Sequence, residues 1–410
     1  MSDIALDQRT HPAVLAIVAK FSLALGAFLA GFVKYEPAPY EIYMVALIAI
    51  WFIFGLRLSR NSAILLTILM CFNIGGLISL TMLGELSTNL QLYMAVSVFL
   101  ALSSVFFAAV IEEDENRLKV IFFAYLLGAL ITGMFGILGY FQLLPNSELF
   151  LRYGRAKGVF QDPNVFGPFL VLPACYLMHQ ILKGGFIAGI PRIVALVVLT
   201  LAVFLAFSRA AWGLYAFSML AVVFLMLLKE RSTVFRMRIL FLGIFGFAAL
   251  AAILLIALQF EQVSELFTIR AQLVQNYDSG EFGRFNRYRL GFEVALLHPL
   301  GIGPLEFGKM FGEDTHNIWL KALLDYGWLG FISYLTLIVW TLGAGFKCLL
   351  RDRPWQPYFL CTYVVFVGHI LISTFIDTDH WRHFYILLGI LWGCMGLEYR
   401  YMRRQRQIGS

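Results

Sequence analysis

The chain has 410 residues, 60% of them hydrophobic and only 14% charged, with a net charge of +6. A soluble domain carries about 25% charged residues. Apolar runs recur here along the whole length, so the composition excludes a soluble protein with one large core and indicates a polytopic membrane protein. The distribution of the positive charge matters more than its sum, and no nucleic-acid partner is expected.

The first apolar run, Ala13 to Val33, is followed by "YEPAPYE" rather than by a small-residue cleavage pattern, so it reads as a retained span. A helix needs roughly 20 apolar residues to cross a bilayer. Further spans are predicted near 42–56, 63–82, 91–111, 118–143, 164–182, 191–207, 210–228, 239–259, 327–346, 356–375 and 384–398. The run 191–228 is too long for one span and is split at "SRA", 208–210. The expectation is an all-α integral membrane protein of about twelve transmembrane helices. A single polytopic domain covers 1–410, with an outer loop at 144–163 and a long, partly helical outer loop at 260–326, between the ninth and tenth helices. The five cysteines lie in or beside apolar runs without metal-ligand spacing, which favours free, packed thiols.

Lys and Arg in short loops orient the spans. With the N-terminus inside, the cytoplasmic loops carry Arg57 and Arg60, Arg117 and Lys119, Lys183 and Arg192, four cations between Lys229 and Arg238, and three between Lys347 and Arg353. The tail adds Arg400, Arg403, Arg404 and Arg406, so both termini face the cytoplasm. The cations left outside then stand against the rule: Arg152, Arg155 and Lys157; Arg209; and Arg270, Arg284, Arg287 and Arg289. Positive charge there suits the holding of an anion. Arg289 has a plainer reading as an i,i+4 ion pair with Glu293. Arg209 sits in a very short turn between two apolar spans, where an unpaired guanidinium is costly. Inside the spans ionisable groups are few: Lys20 can snorkel, and His179 and His369 read as packed histidines. That scarcity, with no visible repeat between the halves, counts against a proton-coupled transporter.

The outer loops hold the polar and aromatic content. The first carries "PNSELFLRYGRAKGVFQDPNVFG", 145–167. In the second, "RFNRYRLGFEVALLHP", 284–299, has helical spacing, with Arg284 and Arg287 one turn apart. "HPLGIGPLEFG" then breaks the helix. After it, "EDTHNIWLKALLDYGWLG", 313–330, predicts a helix capped by Asp314 or Thr315, lying on or in the outer membrane surface before the chain turns at "YGWLG" into the next span, with His316 in its first turn and Asn317, Lys321 and Asp325 along one side. The helix dipole there disfavours imidazolium, so a neutral His316 suited to general base work is expected.

"GRFNRYRLGFEVALLHPLGIGPLEFG" followed by "THNIWLKALLDYGWLGFISYL" resembles the signature region of the O-antigen ligase and O-antigen polymerase family. "GRAKGVFQDPNVFGPFL" (154–170) and "FSRAAWG" (207–213) look like that family's earlier blocks; the resemblance covers roughly 154–335. It implies a bacterial inner-membrane glycosyltransferase with its active site facing the periplasm. The donor would be a glycan on undecaprenyl pyrophosphate, and the acceptor either lipid A–core or a second lipid-linked glycan. Matched residue by residue, His316 takes the family's histidine, Arg209 the arginine of the "SR" block, and Arg284, or else Arg287, the arginine ahead of "hPl.G.G". Asp325 stands where many relatives have glutamate.

These assignments suit the residues. Arginines can neutralise the departing pyrophosphate, and His316 can deprotonate the attacking hydroxyl, which implies inversion. Arg155, Lys157, Asp162, Asn164 and Asn317 are further candidates for contacting substrate, and membrane lipids surround the whole. No cofactor is expected; Asp377 and Asp379 in "IDTDH", 376–380, are the lesser metal-binding alternative. A flippase or transporter of an anionic lipid-linked saccharide is the alternative from another class, although its cations would be expected to line mid-span helices. Polymerase and ligase remain open, because both need the same anion site and the same kind of base.

Overall fold

The computed structural model describes residues 3–184, 186–230, 232–271 and 283–408. The chain runs through α1 (Asp3–Leu29), α2 (Pro39–Ile53), α3 (Arg60–Leu80), α4 (Thr88–Glu113) and α5 (Arg117–Tyr140). A short hairpin follows, β1 (Leu151–Arg152) and β2 (Arg155–Ala156), then α6 (Pro163–Phe169), α7 (Val171–Lys183), α8 (Phe186–Leu205), α9 (Arg209–Lys229) and α10 (Thr233–Ala257). The long loop contributes α11 (Glu261–Ala271), α12 (Arg284–Leu297) and α13 (Glu306–Phe311), and the chain ends in α14 (Ile318–Cys348), α15 (Gln356–Ile372) and α16 (Arg382–Ile408).

The protein is an all-α, multi-pass membrane protein. Seven stretches are long and apolar enough to cross a membrane, α6 and α7 together forming one of them, and α1, α2, α8 and α15 are shorter apolar helices. With α16, a helix lies on every expected span. A two-stranded hairpin, in which Leu151 pairs with Ala156 and Arg152 with Arg155, is the sheet found among the described residues. Its two-residue turn places Tyr153 and Gly154 at φ 51° and 70°, the left-handed pair that matches strand twist.

Sequence punctuation sets the boundaries. Ser59, Ser87 and Ser208 cap α3, α4 and α9 by accepting from backbone N–H groups, and Pro39 and Pro163 open α2 and α6, where a missing N–H is harmless. Inside the bundle α3 packs on α14 and α4 on α16. Gly75 permits the first of these contacts: a Cβ there would collide with the Tyr326 carbonyl oxygen. All five cysteines are free thiols.

The loops expected inside meet one another at one end of the bundle. Lys183 pairs with Glu230 (3.2 Å), Lys229 with Asp352 (2.6 Å), and Arg351 and Arg353 with Glu398 (2.6 and 2.8 Å). The loops expected outside meet at the other end. The Val33 N–H donates to Val159 O (2.9 Å), Ile318 N–H to Ser373 O (3.0 Å), and the Tyr288 hydroxyl to Thr374 O (3.0 Å).

The segment 313–330 differs from expectation. The cap is Asn317, whose Oδ1 accepts from the N–H groups of Trp319 (3.0 Å) and Leu320 (3.2 Å). His316 therefore precedes the helix, at φ 50°, rather than occupying its first turn. The first part of α14 packs into the protein, with Lys321 and Asp325 buried and paired at 3.3 Å. The expected turn does occur: Gly327, at φ 63° and ψ −173°, breaks α14 where a Cβ would collide with Leu300.

Candidate active site

The outer end of the bundle opens into a cavity of about 1420 Å³. Its wall is drawn from four parts of the chain: Arg152 to Val165 of the first outer loop, Phe207 to Gly213 at the start of α9, the long loop through Arg270, Asn286, Arg287, Glu313 and His316, and Ile372 to Trp381. Five arginines line it: Arg152, Arg155, Arg209, Arg270 and Arg287. Phe207, Phe285, Phe375 and Trp381 make part of the wall apolar. Tyr153, Phe207 and His316, all non-glycine residues at positive φ, lie on this wall. Strain of that kind costs roughly 1–3 kcal/mol and collects at functional sites.

The arginines are held in different ways. Arg209 is the first residue of α9 and half-buried, so its charge adds to the positive end of a helix. Arg152 is exposed, and its Nη1 donates to Asp162 Oδ2 at 3.0 Å. Arg155 is buried; its Nε donates to Ala206 O (2.9 Å) and its Nη2 to Asn164 Oδ1 (2.8 Å), which ties the hairpin to the turn after α8 and to α6. Arg287 is buried too, donating from Nη1 to Glu313 Oε2 at 2.5 Å. The Nε atoms of Arg270 and Arg287 are buried without a hydrogen-bond partner among the described residues. Donors left unsatisfied in that way favour an arriving anion.

His316 stands between two carboxylates. Its Nδ1 lies 3.3 Å from Asp377 Oδ2 and its Nε2 3.2 Å from Glu313 Oε1. The hydrogen bond to Asp377 raises the imidazole above its ordinary range, against the effect of partial burial, and Glu313 adds to the rise. Burial would raise the Glu313 carboxyl, but hydrogen bonds from Arg287 and His316 outweigh it and hold it below the ordinary carboxylate range. The imidazole is thus pushed upward, opposite to the direction expected from a helix dipole. His316 lies one residue outside the helix, where the weak dipole effect is outweighed by the carboxylates of Asp377 and Glu313 on either side of the ring.

Several residues singled out in the sequence thus come together: His316, Arg209, Arg287, Arg155, Asp162 and Asn164 all line the cavity. Lys157 and Asn317 do not. Asn317 is occupied as the α14 cap, with its Nδ2 donating to Thr374 O (3.2 Å). Arg284 opens α12, and its side chain lies outside the described residues. Arg289 pairs with Glu293 at 3.2 Å, as its spacing implied. The sequence reading did not assign Glu313 to the site and weighed Asp377 only as a metal ligand. Three-residue spacing was the available signal for Glu313.

Asp377 and Asp379 have separate partners. Asp379 accepts from the Tyr93 hydroxyl (2.5 Å) and lies 2.8 Å from His380 Nδ1. Burial opposes ionisation of Asp379, yet His380 and Lys321 hold its carboxyl well below the usual range. Among the described residues no group of three or more His, Cys, Asp or Glu side chains is placed to hold a metal ion. Ser373 Oγ meets Thr378 Oγ1 at 2.8 Å across the same turn, so the segment that presents Asp377 is bound on several sides. The two histidines expected to be packed are buried, and His369 Nε2 meets His383 Nε2 at 3.2 Å.

A family model described as O-antigen ligase matches residues 194–335. The matched stretch holds Arg209, Arg270, Arg287, Glu313 and His316, whereas Arg152, Arg155 and Asp377 lie outside it. No match to a curated protein was found.

Proposed function

From the premise that the chain is a multi-pass membrane protein with an O-antigen ligase family domain, we propose that it is an inner-membrane glycosyltransferase working at the periplasmic face. It moves a glycan from undecaprenyl pyrophosphate to an acceptor sugar hydroxyl, on lipid A–core or on a second lipid-linked glycan. One observation carries the reading: five arginines share a single cavity with a histidine set between two carboxylates.

The donor's pyrophosphate is the natural ligand of that charge. As the glycosidic bond breaks, negative charge grows on the oxygen leaving with the lipid, and preorganised guanidinium groups stabilise it. Arg209, Arg152 and Arg270 are the direct ligands in this reading. Arg155 is buried and engaged, so it positions Asn164; Arg287 holds Glu313 through Nη1 and keeps its Nε, unsatisfied among the described residues, for the anion. Arg284 is proposed as a further pyrophosphate ligand on the resemblance alone. The apolar wall faces the first isoprenoid carbons or the sugar ring.

His316 handles the proton. Asp377 orients the ring through Nδ1, and Nε2 accepts the proton of the attacking hydroxyl once substrate replaces the Glu313 contact. Flanking carboxylates make the imidazole more basic and stabilise the imidazolium that forms. Attack from the face opposite the leaving group inverts the anomeric carbon. The residues supply both the charge and the base.

The test uses the purified protein in vesicles with a polyprenyl-pyrophosphate-linked glycan and candidate acceptors. Formation of a new glycosidic bond is expected; translocation of the glycan without bond formation would instead establish the flippase alternative. The glycans accumulating in a deletion strain separate the two transferase roles. Single repeat units on the carrier mark a polymerase, and full-length unattached chains mark a ligase.

A further inference from the structure

A second group of cations stands beside the cavity mouth. The Val33 N–H donates to Val159 O (2.9 Å), which sets Lys34 next to the segment carrying Lys157. The Lys157 N–H in turn donates to Phe150 O (2.9 Å), and the Lys34 ammonium lies 5.9 Å from the Phe150 ring and 5.4 Å from the Tyr35 ring. Both lysines are half-buried.

The nearby acids are engaged elsewhere. Glu36 and Glu41 both accept from Arg382 (2.8 and 2.6 Å), and Asp162 accepts from Arg152 (3.0 Å). Among the described residues no carboxylate lies within ion-pair distance of Lys34 or Lys157. Partial burial, then the repulsion of Lys34 and Arg152, lowers the Lys157 ammonium below its ordinary range. Two like charges kept together and half-buried, with Asp162 acting on Lys157 only from beyond ion-pair distance among the described residues, are set to receive a counter-ion from outside. Tyr35 is exposed beside them, as an aromatic at headgroup depth would be.

We propose that Lys34 and Lys157 form a second anion site that holds the phosphate-bearing headgroup of the acceptor lipid next to the donor cavity. This rests on the transferase reading above. Both acceptor types in that reading carry phosphate on a membrane-anchored molecule. A transferase acting on two such lipids must hold two anionic headgroups side by side, and Arg152, at the cavity wall, marks the boundary between the sites.

The experiment measures binding of radiolabelled farnesyl pyrophosphate to the full chain in phosphatidylcholine nanodiscs. Two classes of site are expected. The K34Q/K157Q variant should lose one class and R209A the other, while K34R/K157R should keep both, showing that charge rather than folding is read. In transfer assays K34Q/K157Q should raise the acceptor KM by roughly 10–100-fold, about tenfold for each lost charge-assisted contact, with the donor KM unchanged. Retention of both classes in K34Q/K157Q would overturn the proposal, as would a raised donor KM. Displacement of the lysine class by phosphatidylglycerol in the disc would make it a bulk-lipid site and also overturn the assignment. If R209A kept both classes, the donor-cavity reading would fail instead, while the lysine class would still be judged by its own variant.

Discussion

At the scale of single residues, protonation of His316 decides what the site can do at a given pH. Its pKa lies above the ordinary imidazole value, chiefly through Asp377. A general base must be neutral, so transfer should rise with pH through that elevated value and fall in acid. Asp377→Asn removes the main cause of the rise. The acidic limb of the pH–rate profile should then move to lower pH, with a lower maximum rate because ring orientation is lost. A limb that stays in place would detach Asp377 from His316. His316→Ala should lower transfer by about 10²–10⁴-fold while donor binding persists; loss of binding would make His316 a pyrophosphate ligand instead. Arg209→Ala should weaken donor binding, and Arg209→Lys should restore it only in part, because the planar fork is replaced by a point charge. Full activity of Arg209→Lys at limiting donor would remove the bidentate role.

At the scale of elements, α14 joins bundle and site. Its cap, Asn317, also donates to the 373–381 turn, and its first turns bury Lys321 between Asp314 and Asp325, each at 3.3 Å. Losing one partner of a buried pair leaves an uncompensated charge and costs about 3–5 kcal/mol, whereas replacing both with apolar groups is often neutral. Lys321→Met should therefore destabilise the detergent-solubilised protein strongly in denaturant unfolding. Lys321→Met combined with Asp325→Leu should recover much of the loss. An unaltered single variant would mean that water or the Tyr93 hydroxyl already satisfies Asp325. The helix itself was legible from spacing, and so was its break at Gly327, because "YG" ahead of a new apolar run is local information. Its cap was misplaced by two or three residues. Asp, Thr and Asn all cap helices, and the choice fell to Asn317 because its Nδ2 also reaches Thr374, a partner distant in sequence.

At the scale of the whole molecule, the basic loops fall at one end of the bundle and the cavity at the other. Reporter fusions after Arg238 and after Gly280 should give cytoplasmic and periplasmic signals respectively; a cytoplasmic signal at Gly280 would reverse the orientation and move the cavity to the wrong side for a periplasmic donor. The helices of the bundle were determined by sequence alone. Crossing a bilayer demands a run of apolar residues along one stretch of chain, and that demand is met locally whatever the neighbours are. The membership of the site was only partly determined that way. Outward cations were conspicuous because they break a local charge rule, but that rule does not distinguish half-buried Arg209 at the start of α9 from Arg287, which is buried and held by Glu313. The state of His316 needed the tertiary structure altogether. Asp377 reaches it from a different loop, and the pull of a carboxylate on an imidazole depends on distance through space, which the order of residues along the chain does not contain.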